Sequence, residues 1–109
     1  MLFKLEHKEM ILNGTKTATR RVWKKPRAKV GGIYKAKLKM LSKDYFAKIK
    51  ITNIYEQELG AMTDEDANKE GYEDVEKFRE IWIEINGHWY GEMVVTVIEF
   101  AVEQQGGAE

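Results

Sequence analysis

The sequence predicts an α+β fold, a barrel-like sheet with two or three peripheral helices. Two runs of alternating apolar and polar residues, at 34–40 and 46–54, are typical of strands with one buried face. A third run, at 92–102, has apolar and β-branched residues on both faces, as expected of a strand covered on both sides. Between residues 73 and 85, apolar residues recur at steps of three and four, which indicates an amphipathic helix. Such a mixture in 109 residues favours one compact sheet with helices packed outside it.

The first third of the chain predicts a helix followed by an irregular cationic stretch. Residues 6–12 form a short helix that ends at Asn13 and Gly14, because glycine adopts the left-handed backbone that closes many helices. Residues 15–23 follow as a polar, cationic segment, and residues 24–27 form a loop around the single proline. This stretch leads into the first alternating strand.

A further short helix begins near Thr63, whose side chain is a predicted cap and is followed by acidic residues. It ends at Gly71, before the longer amphipathic helix. We expect residues 1–103 to form a single domain and residues 104–109 a flexible tail, because the tail is small and polar.

The formal net charge of zero conceals two oppositely charged halves. Residues 1–50 contain fifteen Lys and Arg against three acids, and residues 51–109 contain the reverse. This asymmetry predicts a surface that prefers polyanions or anionic substrates. The alternative is that the two halves pair with each other.

The composition excludes several kinds of site. The chain has no cysteine, which rules out disulfides, thiolate zinc sites and cysteine nucleophiles, and its two histidines make a histidine-based zinc site improbable. No metal and no cofactor are therefore expected. No apolar run approaches the roughly 20 residues that span a bilayer, and the first residues are charged too early for a signal peptide. We expect a cytoplasmic protein with no membrane partner.

One segment carries a specific motif. Residues 14–21, Gly-Thr-Lys-Thr-Ala-Thr-Arg-Arg, fit the pattern G-x-K-x-x-T-x-R. In this position, just after a short helix, the segment resembles the signature of the ASCH domain family. The resemblance continues through Glu70-Gly71-Tyr72, Phe78 and Trp82 to the strand at 97–100, so it covers most of the chain in the right order.

The resemblance implies both a fold and an activity. The family has a mixed β-barrel similar to that of the PUA domains, which bind RNA, with about five or six strands. Some small bacterial members are amidohydrolases that deacetylate N4-acetylcytidine, through the Lys and Thr of the signature and a Glu before the helix. Carried over by motif, these residues are Lys16, Thr19 and Glu70.

The chemistry of deacetylation is consistent with those residue types. It needs a nucleophile, a base to take its proton, and donors for the oxyanion. A Thr hydroxyl near a Lys supplies the first two, provided that desolvation or neighbouring cations keep part of the Lys neutral. Glu70 would orient Lys16 or pass a proton to the leaving amine. Residues three apart in a straight strand point to opposite faces, so Lys16 and Thr19 meet only if the chain turns between them.

Further residues are candidates for substrate binding. In an extended segment Thr17, Thr19 and Arg21 share a face, which suits a hydroxyl and a guanidinium lining one pocket. The full set of predicted binding residues is Thr17, Arg20, Arg21, Lys24 and Tyr72.

A second function remains open. In a non-catalytic RNA-binding module, the cations of 20–25 and the lysines of the hairpin would contact phosphates, and an aromatic side chain would stack on a base. The same cations would otherwise be solvated surface charge, and Phe78 and Trp82 would be core residues on the apolar stripe of their helix. The predicted partner is a nucleoside or RNA, and the predicted oligomeric state is a monomer or weak homodimer.

Overall fold

The computed structural model of the protein describes the backbone of residues 1–105 and the side chains of residues 1–103. It confirms the predicted α+β class. The elements in chain order are α1 (Leu5–Leu12), β1 (Ala18–Arg21), β2 (Ile33–Ala36), β3 (Ala47–Glu58), a 3-10 turn (Leu59–Ala61), α2 (Asp64–Lys69), α3 (Val75–Asn86) and β4 (Val94–Gln105).

The strands form one curled antiparallel sheet in the order β1-β4-β3-β2. It has four strands within residues 1–105, where five or six were expected. Two of them, β3 and β4, are each twelve residues long and pair along their whole length, so they make up most of the sheet. The register between them shifts where Ile51 pairs with Phe100 and Asn53 with Glu99, which leaves Thr52 as an extra residue. Such a bulge bends a strand and curls the sheet towards a half-barrel.

The predicted strand at 34–40 is shorter than its alternation suggested. β2 ends at Ala36, and Lys37 pairs only with the N-terminal segment, through bonds from Phe3 N to Lys37 O (2.9 Å) and from Lys37 N to Met1 O (2.9 Å). The apolar residues that made the pattern look like a strand, Leu38 and Met40, lie exposed in the following turn. Of the lysines at 35–39, only Lys35 lies in β2, where it pairs with Lys48 of β3, so the five lysines of the predicted hairpin do not form one face.

β4 is covered on both faces, as its sequence predicted. Ile98 and Phe100 pack in one core cluster with residues of α1, β2 and β3. Val95 points the other way and packs with Phe78 and Trp82 of α3 in a second cluster. Because β4 separates the two clusters, α2 and α3 lie on one face of the sheet and α1 lies towards the other.

The predicted helices are present within one or two residues of their expected bounds. Thr63 caps α2 in a reciprocal capping box with Asp66, and Asp74 caps α3 by accepting from Lys77 N. Gly87 ends α3 in the left-handed conformation, with φ of 82°. β4 continues through Gln105, so the first two residues of the predicted tail belong to a strand, and the rest lies outside the described residues. None of the helices in residues 1–105 is long and apolar enough to cross a membrane.

Candidate active site

A cavity of about 530 Å³ opens beside the edge strand β1, between α1 and α3. This volume lies within the range of about 300–1,000 Å³ that is usual for small-molecule sites. Its walls come from α1, the segment 16–22, the corner at Glu70–Tyr72 and one face of α3. The signature segment and the acidic corner, far apart in sequence, therefore meet at one site.

At the base of the cavity lies a buried ion cluster of Lys16, Arg20 and Glu70. Lys16 Nζ donates to Glu70 Oε1 at 2.8 Å, and Arg20 Nη1 donates to Glu70 Oε2 at 2.9 Å. The three residues are only 2%, 6% and 3% exposed, respectively. One carboxylate thus bridges two cations away from solvent.

Both cations have further polar partners. Lys16 Nζ also donates to Ala18 O (2.9 Å) and Glu70 O (3.2 Å), so its three N–H groups all find acceptors. Arg20 Nη2 donates to Gln57 Oε1 at 2.9 Å and lies 3.7 Å from an Asp66 carboxylate oxygen. Buried charges are tolerated when they are paired and hydrogen-bonded in this way.

The backbone explains why Lys16 reaches Glu70 across 54 positions of sequence. After α1, Lys16 N donates to Met10 O (2.8 Å) and Thr17 N donates to Lys69 O (2.7 Å), which fixes the segment between α1 and α2. On the other side, Gly71 turns the chain after α2 with φ of 98°, and a Cβ there would lie 2.5 Å from Met10 Sδ and 3.6 Å from Lys16 Cβ. A glycine at position 71 lets the acidic corner pack directly against the signature segment.

The electrostatics favour a negatively charged or polarised ligand group. Among the described residues that line the cavity, four are cationic (Lys4, Lys16, Arg20 and Arg21) and one is a carboxylate (Glu70). Burial lowers the pKa of Lys16, and Arg21 and Arg20 lower it further, whereas Glu70 opposes the shift. Proton transfer at Lys16 therefore costs less than it would for a lysine in water.

Thr19 lies in the same cavity but not within the ion cluster. It is buried, and its Oγ1 accepts from Arg21 Nε at 3.2 Å. Arg21 is itself fixed by a bond from Nη2 to Leu2 O and by the Phe3 ring, 5.0 Å from its guanidinium carbon. No hydrogen bond joins Thr19 Oγ1 to Lys16 or Glu70 in residues 1–103. Of the three predicted catalytic residues, two are in contact and the third lines the same space.

The predicted binding residues divide into two groups. Arg20, Arg21 and Tyr72 line the cavity. Thr17 does not line the cavity. Its backbone hydrogen bonds hold it next to the start of β1, on the same side of the molecule as the site. Lys24 is exposed and lines a separate groove of about 320 Å³, together with Trp23, Lys25 and Tyr55 among others.

Two polar residues of the site were not singled out from the sequence. Buried His7 of α1 shares a hydrogen bond of 2.5 Å between its Nε2 and the Tyr72 hydroxyl. Burial, followed by Lys16 and other cations, lowers the pKa of His7 to about 4, and burial raises the pKa of Tyr72 to about 12. His7 is therefore neutral near pH 7, and its tautomer determines which of the two groups donates the hydrogen bond. The other residue is Gln57, which binds Arg20 and donates to Asp66 Oδ2 at 3.2 Å.

The sequence offered only a weak signal for either residue. His7 is one of two histidines in the chain, and Gln57 lies near the end of an alternating run, but no spacing connects them to the signature. Their partners are set by the tertiary structure. Within the described residues, no group of three or more His, Cys, Asp or Glu side chains is placed to hold a metal ion.

Solved structures share this fold at low sequence identity. A protein from Enterococcus faecalis V583 is similar with a TM-score of 0.70 and 17% identity, over 92% of this chain and 68% of that one. An ASCH domain from Lactobacillus crispatus JV V101 gives 0.65 and 17% over 87% and 69%, and ASCH from Zymomonas mobilis gives 0.68 and 13% over 97% and 67%. No curated protein matches the sequence.

The sequence itself identifies the family. The family model described as the ASCH domain matches residues 2–104, which include the signature segment, the acidic corner and the closing strand. The protein belongs to the ASCH domain family.

Proposed function

We propose that this protein hydrolyses the acyl–nitrogen bond of an acylated nucleoside, N4-acetylcytidine or a close relative. The observation that carries the proposal is the buried Lys16–Glu70–Arg20 cluster at the base of a cavity that Thr19 also lines. A protein that only exposed cations to phosphate would have little reason to bury a carboxylate among them, since the carboxylate repels phosphate. Amide hydrolysis, by contrast, needs a group that both accepts and returns a proton.

Lys16 and Glu70 are suited to that proton transfer. The 2.8 Å contact between Nζ and Oε1 allows a proton to move from the ammonium to the carboxylate, leaving a neutral amine. Burial lowers the pKa of Lys16, and Arg21 and Arg20 disfavour a third positive charge beside them. Lys16 in its amine form is the base, and Glu70 holds the proton that Lys16 gives up.

The reaction then runs through an acyl-threonine. Thr19 Oγ1 attacks the acyl carbonyl carbon and its proton passes to the Lys16 amine, while the carbonyl π electrons move onto oxygen. Arg21, whose Nε lies 3.2 Å from Thr19 Oγ1, faces the oxyanion. The oxyanion re-forms the carbonyl as the carbon–nitrogen bond breaks and the leaving nitrogen takes the proton from Lys16. Water then attacks the acyl ester and gives its proton to the Lys16 amine, which passes it to Thr19 Oγ1 as acetic acid leaves and ionises to acetate.

One rearrangement is required. In the structure the Thr19 hydroxyl accepts from Arg21, so it must turn towards Lys16, or a water must bridge the two, for its proton to be transferred. Catalytic hydrogen bonds commonly reach their working geometry only when substrate binds.

The rest of the cavity suits a flat, largely uncharged ring. Tyr72, Phe78 and Trp82 form a continuous aromatic wall, with centroid distances of 5.9 Å from Tyr72 to Phe78 and from Phe78 to Trp82. Ile81 and Ile85 of α3 extend this wall. A nucleobase can pack on such a surface while its acylated amine points towards the cationic end.

Acetate release from N4-acetylcytidine tests the proposal. We expect wild-type protein to release acetate, and Thr19→Ala and Lys16→Met to lose at least about 100-fold in kcat/KM. Lys24→Ala is the matched control, because it removes a cation outside the cavity and should retain full activity. A wild-type protein without turnover on this nucleoside and its acylated analogues would contradict the proposal.

The second candidate function is RNA binding, and a different surface favours it. The separate groove of about 320 Å³ is lined by Trp23, Tyr55, Lys24, Lys25 and Glu56 among others, so two aromatic side chains and two cations share one surface. This combination suits a single-stranded nucleic acid, whose bases stack while its phosphates meet cations.

A further inference from the structure

Gln57 of β3 lies at the centre of a hydrogen-bond chain between β1 and α2. Arg20 donates to Gln57 Oε1 from Nη2 at 2.9 Å and from Nε at 3.2 Å, and Gln57 Nε2 donates to Asp66 Oδ2 at 3.2 Å. The strand register explains the first contact. Arg20 pairs with Val97 of β4. Gln57 pairs with Val95, two positions away on the same strand, so both side chains lie on one face of the sheet.

The Arg20 side chain is directed at protein groups. It is 1% exposed, and each of its three nitrogens donates to an acceptor of the protein: Nη1 to Glu70 Oε2 at 2.9 Å, and Nη2 and Nε to Gln57. Because the guanidinium is planar, its donors have fixed directions, and the position of Gln57 determines how Arg20 meets Glu70. Arg20 therefore reaches the chemistry of the cavity through Glu70.

Asp66 is a competing partner for Arg20. Its Oδ1 lies 3.7 Å from Arg20 Nη2, beyond hydrogen-bond distance, and its Oδ2 accepts from Thr63 N at 3.0 Å in the capping box of α2. A carboxylate attracts a guanidinium more strongly than a neutral amide does. The Gln57 amide accepts from the cation and donates to this carboxylate, so it occupies both groups and leaves Arg20 Nη1 on Glu70.

We propose that Gln57 is a positioning residue of the site, which holds the Arg20 guanidinium against Glu70. If Arg20 turned to Asp66, the Glu70 carboxylate would be held by Lys16 alone. Lys16 would then lose a repelling cation and gain a less neutralised carboxylate, and both changes stabilise its protonated form. Gln57 thus helps Lys16 to give up its proton. The inference rests on the proposed function for the chemistry that Lys16 performs.

Gln57→Leu is the informative variant, because it removes both hydrogen-bonding groups and keeps a side chain of similar size. Asn53→Leu is the matched control. Asn53 is also in β3 and also donates to a carboxylate, Glu99 Oε1 at 3.2 Å, but neither residue lines the cavity. The pair separates the loss of any such hydrogen bond from the loss of this one.

Nuclear magnetic resonance measures the protonation of Lys16 without requiring turnover. In protein with ¹³C-labelled lysine, the Lys16 signal is assigned by its absence in Lys16→Met and is followed as the pH rises. The charged and titratable groups that face Lys16 are Glu70, Arg20, Arg21 and His7, and all are kept in both variants. We expect the pKa of Lys16 to be higher in Gln57→Leu than in wild type and unchanged in Asn53→Leu. An unchanged pKa of Lys16 in Gln57→Leu overturns the inference.

Acetate release supplies the second arm. Gln57→Leu should lower kcat about tenfold and leave KM within about twofold, because the wall of the cavity stays the same. Arg20→Lys keeps the charge but not the fork of donors, so adding Gln57→Leu to it should cost little more. Losses that multiply in the double variant would show that Gln57 does not act through Arg20, and would overturn the inference. If Arg20→Lys does not fold, the titration of Lys16 decides alone.

The inference and the proposed function can fail separately. A raised pKa of Lys16 in Gln57→Leu, without acetate release by the wild-type protein, would overturn the proposed function and leave the positioning by Gln57 standing. Acetate release by the wild-type protein, with the same pKa of Lys16 in both proteins, would do the reverse.

Discussion

The Glu70 carboxylate accepts hydrogen bonds from two buried cations, and the stability of the site depends on this carboxylate. Replacing Glu70 with glutamine keeps the shape of the side chain but leaves Lys16 buried without a counter-charge and Arg20 with only Asp66, at 3.7 Å. We expect Glu70→Gln to lower the free energy of unfolding by about 3–5 kcal/mol. Urea denaturation measures this, with Glu73→Gln as the control.

Glu73 lies three residues away, is exposed, and should change stability by no more than about 0.5 kcal/mol. Equal losses in the two variants would mean that the buried cluster does not stabilise the fold.

His7 makes the stability of the protein depend on pH. Its pKa is lowered to about 4 in the folded state, from an ordinary value of 6.5. Above pH 6.5, His7 is neutral in both the folded and the unfolded chain. Between pH 6.5 and about pH 4, His7 is protonated in the unfolded chain but stays neutral in the folded chain. Stability is therefore lost as the pH falls through this range.

Urea midpoints at about pH 7 and about pH 4.5 measure this loss in wild type and in His7→Gln, which keeps an acceptor for the Tyr72 hydroxyl. Since other groups also titrate, the difference between the two proteins is the relevant quantity. We expect the variant to lose less stability over this range. An identical loss would show that His7 does not cause the dependence.

At the scale of the elements, Gly71 joins α2 to the site. Alanine at this position must adopt φ near 98° and places its Cβ against Met10 Sδ, whereas Gly87, at φ of 82°, has nothing within 4 Å of an added Cβ. Both substitutions cost about 1–2 kcal/mol for the left-handed backbone. Gly71→Ala should cost about 1 kcal/mol more, because Met10 must move.

Thermal or urea unfolding compares the two variants. We also expect Gly71→Ala, but not Gly87→Ala, to reduce acetate release, since displacing the corner moves Glu70 relative to Lys16. Equal stability and equal activity of the two variants would argue against direct packing of the corner on α1.

The local sequence predicted those elements whose caps and apolar patterns lie within the element itself. Helix α3 has a periodic apolar stripe and a capping residue, and β4 is apolar on both faces, so both were predicted close to their observed bounds. The face shared by Thr19 and Arg21 also followed from strand geometry, and their side chains are in contact. Alternation alone was misleading at 38–40, because Leu38 and Met40 are not in a strand and are 37% and 71% exposed there.

The candidate site depends on long-range contacts that periodicity does not encode. The meeting of Lys16 with Glu70 was expected only from the resemblance to the family. The bonds from Arg20 to Gln57 and from His7 to Tyr72 were not expected at all, because they arise when β1, β3, α1 and the acidic corner pack together.

At the scale of the whole molecule, the two charged halves meet only in part. Lys16–Glu70, Arg20–Glu70 and Arg20–Asp66 join the basic half to the acidic half, and all three lie at the site. Within residues 1–103, Lys35, Lys37, Lys39 and Lys50 form no ion pair with an acid, so pairing between the halves does not neutralise these lysines. The basic half therefore keeps an excess of positive charge at these lysines.

We expect the affinity of the protein for single-stranded RNA to fall steeply as the salt concentration rises, because binding releases counterions from the phosphates. Replacing both Lys24 and Lys25 with alanine should reduce the slope of log K against log salt by about two, one for each lost phosphate contact. Fluorescence anisotropy measures the slope, and Lys77→Ala, in α3 and outside the groove, is the control. An unchanged slope in the double variant would exclude this groove as the contact surface.

In the proposed function, an acylated nucleoside binds in the cavity beside β1 with its acyl group facing Thr19 and Lys16. A crystal structure of Thr19→Ala with N4-acetylcytidine tests it most directly, because this variant keeps the Lys16–Glu70–Arg20 cluster and removes the proposed nucleophile. We expect the base to lie on the Phe78–Trp82 wall and the acetyl carbon to lie beside position 19. A ligand bound in the Trp23–Lys24 groove, or with its acetyl group turned away from Lys16, would contradict it.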